Sequence, residues 1–123
     1  MKTILFLFVL IVAGQTAQGS TTGATMKQIA GDYDISFRPI ANMIAHVKED
    51  GHLDLEVFAM LYLNCTGDEG YIENNVFSIN PNCNGASISL KIDLSKVKNF
   101  NKFKAPVYSS MLGSTVEMEF TRR

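Results

Sequence analysis

Eleven positions, 53–63, constrain this chain more than any other stretch. Leu53, Leu55, Val57, Ala59, Leu61 and Leu63 make every odd position apolar, while Asp54 and Glu56 open the even ones. A period of two sends the odd side chains to one face of a β-strand. Taken as a single strand, the stretch is about 35 Å long at ~3.3 Å per residue. That length suits a wide, curved sheet or a barrel better than a packing of helices. The even positions then turn to Phe58, Met60, Tyr62 and Asn64, so the second half is apolar on both faces. Its second face needs cover from residues 95–113, from another subunit or from a ligand.

The neighbouring segments read as strands too. Tyr33, Ile35 and Phe37 alternate with Asp34, Ser36 and Arg38 until Pro39 stops the run. The turn before Leu53 can be chosen by register. A two-residue Asp50-Gly51 turn sets Lys48 opposite Leu53 and points a cation into the apolar face. A three-residue Glu49-Asp50-Gly51 loop instead pairs Val47 with Leu53, Ala45 with Leu55 and Met43 with Val57, and gives Gly51 the left-handed position such a loop needs. The three-residue loop is the expectation, and it also sets His46 opposite Asp54.

Residues 72–80 form the weakest strand, because Ile72 and Val76 fall on one parity and Phe77 and Ile79 on the other. Residues 86–94 are clearer, with Ile88, Leu90, Ile92 and Leu94 against Ser87, Ser89, Lys91 and Asp93. Residues 115–121 turn Val116, Met118 and Phe120 inward and Glu117 and Glu119 outward. Leu94, Val97 and Phe100 are spaced for a short helix near 95–105, capped by Ser95 and ended by Pro106. The expected fold is all-β: a strongly curved antiparallel sheet or small barrel of about six strands, with that one helix.

The first nineteen residues have the form of a secretory signal peptide: Lys2, an unbroken apolar run over 4–13, then Ala17 and Gly19 before a cut at Ser20. Ten apolar residues are too few to span a bilayer, which takes about 20, so no stable membrane insertion is expected. Residues 20–25 read as a flexible leader, and 26–123 as one β domain, secreted and extracellular. Without Lys2 the chain holds 10 basic and 12 acidic residues, a balance that offers nucleic acid no bulk attraction. Cys65 and Cys83 are an even pair in an oxidising compartment, and one disulfide is expected. Closing so short a loop would stabilise the fold by about 3 kcal/mol.

Chemistry-bearing motifs are sparse. His46 and His52 do not converge in the chosen register, with His52 facing Lys48, so no metal site is expected. No GxSxG or phosphate loop occurs, and neither Glu49-Asp50 nor Asp68-Glu69 has calcium-loop spacing. Neither an enzyme nor a cofactor is expected. Asn64-Cys65-Thr66 is an N-glycosylation sequon on the outward parity. In 96–104, lysines interleave with Phe100 and Phe103; the lysines read as solvated and the rings as docked on the sheet.

Residues 31–83 resemble the N-terminal half of the lipocalins, particularly the odorant- and pheromone-binding kind. Gly31-Asp32-Tyr33 looks like their G-x-W with Tyr33 for the tryptophan, and Lys48-Glu49-Asp50-Gly51 stands where they carry an acidic turn. Cys65 ends the following strand, and Cys83 comes after the next. The family's second motif and C-terminal cysteine have no counterpart here. The resemblance implies a cup for a small molecule. The leading expectation is non-catalytic binding of a small apolar ligand by the inward residues Tyr33, Ile35, Phe37, Met43, Leu55, Val57, Ile88, Leu90, Met118 and Phe120. The alternative is a protein-binding module, an inhibitor or host-interaction factor with a filled core, acting through an edge strand or the Phe58, Met60 and Tyr62 patch. Interior volume separates them: a cavity of about 300 Å³ or more favours the ligand.

Overall fold

A computed structural model describes residues 23–37 and 41–123. The expected signal peptide, residues 20–22 of the leader and the stop at Pro39 lie outside the described residues. The strands are β1 (Gly31–Phe37), β2 (Ala41–Val47), β3 (Leu53–Phe58), β4 (Tyr62–Gly67), β5 (Tyr71–Glu73), β6 (Val76–Ile79), β7 (Asn82–Cys83), β8 (Ala86–Ser87), β9 (Leu90–Asp93), β10 (Lys102–Ser109) and β11 (Ser114–Arg122). They make one antiparallel sheet in the order β5-β6-β9-β10-β11-β1-β2-β3-β4-β7-β8, curled into a half-barrel.

The chain itself ties the two margins of that sheet together. β6 pairs with β9 near one margin and β7 pairs with β4 near the other. Only Asn80 and Pro81 separate the two strands. Cys65 and Cys83 face each other across β4 and β7 and form the expected disulfide.

Eleven strands replace the expected six, and the difference has a simple cause. The stretch 53–63 is not one strand but a hairpin, with Phe58 opposite Tyr62 across Ala59, Met60 and Leu61. A three-residue loop preserves parity, so Val57 and Leu63 pair on the same face and the period of two runs unbroken through the turn. The even residues Phe58, Met60 and Tyr62 need no second layer, because they lie exposed at the turn. The opposite happens at Asn74-Asn75, a two-residue turn with both φ positive (53° and 63°). An even loop flips parity, which sets Ile72 opposite Phe77 and makes a sound hairpin look like a weak strand.

β10 forms where the sequence pattern predicts a short helix and a loop. Its odd positions Phe103, Ala105, Val107 and Ser109 turn inward, while Lys102, Lys104 and Pro106 are exposed. The ladder to β9 starts at Val107, one residue beyond Pro106, where a missing N–H is tolerated. No helix forms over 95–105. Asp93 accepts the Ser95 N–H (2.9 Å) and Asn99 accepts the Asn101 N–H (2.9 Å), so side chains close two tight turns before the chain re-enters the sheet. The lysines of this segment are exposed, and Phe100 and Phe103 pack against the core.

The β2–β3 register is the expected one: Val47, Ala45 and Met43 stand opposite Leu53, Leu55 and Val57. Gly51 has φ 95°, and a Cβ there would collide with the backbone of Gly70. The helix is elsewhere, at α1 (Met26–Ile29). Thr25 Oγ1 accepts the Gln28 N–H (3.2 Å) and Gln28 Oε1 accepts the Thr25 N–H (3.0 Å), a capping box built partly from the leader.

Candidate functional site

Antiparallel pairing gives the half-barrel two distinct ends. At one, α1 lies across the sheet and Arg122 secures it. The guanidinium donates from Nη1 to the Ala30 carbonyl (2.6 Å) and from Nη2 to the Gln28 carbonyl (2.8 Å). It also lies 4.9 Å from the centre of the Tyr33 ring, a cation–π contact. Tyr33 in turn donates its hydroxyl to the Ile29 carbonyl (2.7 Å). Phe103 and Phe120 stack at 4.6 Å and meet Tyr33 edge-on. Burial raises the Tyr33 phenol above its ordinary pKa, against the lowering pull of Arg122. This end is shut by α1.

Between the ends, the curl leaves an apolar cavity of about 230 Å³. All ten inward residues named from the sequence line it: Tyr33, Ile35, Phe37, Met43, Leu55, Val57, Ile88, Leu90, Met118 and Phe120. Sequence reading missed Ile29 of α1, Phe103, Val107 and Ser109 of β10, and Met111 and Leu112 of the turn after it. The alternation of Phe103, Ala105 and Val107 was available as a signal. The turn residues carried none.

The lining has no charged side chain, and only Tyr33 and Ser109 bring hydroxyls to it. The first is spent on Ile29, and Ser109 Oγ accepts the Met111 N–H (3.2 Å). Ala41, Ala45 and Ala59 stand where larger side chains would fill the space. Of the lining residues, Ala59, Met111 and Leu112 are themselves exposed, so the cavity meets the surface beside the β3–β4 and β10–β11 turns.

Polar groups gather on the outer face instead. His46 lies opposite Asp54 in the register, but its Nδ1 bonds Asp32 of β1 (2.7 Å). His52 stands opposite Lys48 as expected, its carbonyl accepting the Lys48 N–H (2.9 Å), while its ring turns to carboxylates: Nδ1 to Asp68 (2.6 Å) and Nε2 to Asp54 (3.1 Å). Among the described residues no group of three or more His, Cys, Asp or Glu is arranged to hold a metal ion. Asn64 is exposed beside the buried Cys65. A separate polar groove of about 340 Å³ runs between Asp68-Glu69 and Lys91.

Fold and cavity together define an all-β protein whose curled sheet, stapled by one disulfide, encloses an apolar interior. Comparison with protein-family models, with curated proteins and with solved structures finds no match.

Proposed function

We propose that this protein is a secreted, non-catalytic binder of a small, uncharged, apolar molecule held inside the curled sheet. The observation that carries the reading is the unfilled apolar cavity. A ligand that fills the space gains about 25 cal/mol per Å² of apolar surface buried.

Size and chemistry narrow the ligand. The volume of about 230 Å³ falls short of the ~300 Å³ set above as the mark of a ligand cavity, and exceeds the ~150 Å³ apolar cavity that accepts benzene. The reading narrows to a ligand smaller than a drug-sized one. A compact hydrocarbon-like molecule larger than one aromatic ring fits; a charged or strongly polar one has no partner in the lining. Met43 and Met118 would adapt to varied shapes. The lipocalin-like Gly31-Asp32-Tyr33, the Lys48–Gly51 turn and the cysteine pair lend support, as does the signal-like start for secretion.

The test uses a fluorescent apolar probe with the mature chain. Wild type is expected to take up the probe, and Val57→Arg, which sets a cation on the half-buried cavity wall, to abolish uptake while thermal unfolding stays cooperative. A wild type that binds no probe, with Val57→Arg simply unfolded, would make this face ordinary core. The alternative of a protein-binding module draws on the exposed Phe58, Met60 and Tyr62. The outer strands β5 and β8, three and two residues long, give an added strand little to pair with.

A further inference from the structure

Among the described residues seven large apolar side chains are exposed, and six of them crowd one end of the molecule: Phe58, Met60, Leu61, Tyr62, Met111 and Leu112. The register brings the β3–β4 and β10–β11 turns to that same end, since Asn42 pairs with Phe58, Phe37 with Ala41, and Ser36 with Glu119. The exposure is extreme at the first tip, 99% for Met60 and 74% for Leu61. Charge is missing there as well. Residues 57–63 and 107–116, which hold the two turns, contain no Asp, Glu, Lys, Arg or His. The opposite end, by contrast, carries Lys27, Glu49, Asp50, His52, Asp68, Glu73 and Lys98.

We propose that this uncharged end docks reversibly on the surface of a neutral lipid bilayer, with the Met60-Leu61 and Met111-Leu112 tips entering the headgroup–acyl boundary. Three observations favour lipid over a protein partner. The Met60-Leu61 tip is a protruding knob, which a fluid surface accommodates and a folded partner could accept only with a matching socket. The polar residues that border the tips, Asn42, Asn64, Ser110 and Ser114, are all uncharged, which suits a neutral bilayer because hydrocarbon penalises any charge brought near it. The residues are also layered by depth. Aliphatic side chains form the tip, and the Phe58–Tyr62 ring pair (5.4 Å) stands one rung behind, where amphipathic tyrosine sits at a membrane interface. Met111 and Leu112 also line the cavity, so the docked end is the end at which the cavity opens. With no cluster of cations at this end, anionic lipid supplies no attraction and salt has no effect.

The chain has no tryptophan, so one introduced indole reports its own surroundings. Leu61→Trp and Leu112→Trp are expected to shift to shorter emission wavelength on adding phosphatidylcholine vesicles and to be quenched by brominated phosphatidylcholine, equally at low and high salt. Tyr71→Trp, at the remaining exposed apolar site, should do neither. Met60→Ser/Leu61→Ser should lower vesicle partitioning by at least about tenfold with the circular dichroism unchanged. The proposal is overturned by water-like emission from both tip probes in the presence of vesicles, or by binding confined to phosphatidylglycerol vesicles. Blue-shifted emission without lipid, together with a doubled mass in sedimentation, would also overturn it and assign the end to self-association.

Discussion

His52 sits between two carboxylates on the outer face, and its titration follows from that geometry. The Asp68 hydrogen bond, then the Asp54 hydrogen bond, hold the imidazole above its ordinary pKa of 6.5. Asp54 lies below the usual carboxylate range, first because Thr66 donates to it (2.7 Å) and then because His52 does. A raised histidine stabilises the fold fully below its unfolded value and loses that contribution as pH rises through the folded one. A lowered carboxylate contributes above its unfolded value, here 3.8, and loses it as pH falls through the folded one. Between those limits the ties from β3 to the β4–β5 connection are complete. His52→Gln should therefore lower the urea midpoint most at mildly acidic pH, and the gap should close as pH rises above the His52 pKa, followed by NMR titration. A gap that widens with pH would contradict the assignment. Sequence order alone set His52 against Lys48, because Asp68 is sixteen residues away and reaches the ring only through the fold.

At the scale of elements, loop length explains both successes and errors. The Glu49-Asp50-Gly51 loop was legible because the wrong register would bury Lys48 among leucines. Nothing comparable marked the turn at Ala59-Met60-Leu61, where an odd loop between two apolar faces leaves the alternation intact. The two-residue turns behave differently, since both central residues take positive φ. At Asn84-Gly85 these are 53° and 93°, and a Cβ on Gly85 would meet nothing within 4 Å. Gly85→Ala should therefore cost about 1 kcal/mol through backbone conformation alone, read as a lower urea midpoint with unchanged probe uptake. A neutral result would mean that this turn does not hold its φ in solution.

The whole molecule depends on a seam. β6 and β7 share one run of chain but pair on opposite sides of the curl, and Cys65–Cys83 locks β7 to β4 beside Pro81. Reducing the disulfide should cost about 2–5 kcal/mol. It should also weaken probe uptake, because β4, which the disulfide ties to β7, borders the cavity through Leu63 and Cys65. Paired measurements of melting temperature and probe affinity, with and without reductant, check both outcomes. Reduction that lowers the melting temperature but leaves affinity intact would show that the cavity keeps its shape without the staple.

Side-chain alternation by itself determined that the chain is β, which residues turn inward, how β2 meets β3 and which cysteines are joined. These follow from local rules: a period of two, the exclusion of charge from an apolar face, and an even cysteine count. Tertiary structure decided the rest. Parity cannot tell a long strand from a hairpin with an odd loop, so the β3–β4 turn became visible only once the backbone reversed at Met60. The same inward residues would serve a filled core or a hollow one. Only the curvature of the sheet, and the small residues Ala41, Ala45 and Ala59 within it, left space among them. Only the register gathered Met60, Leu61, Met111 and Leu112, some fifty residues apart in the chain, at one uncharged end.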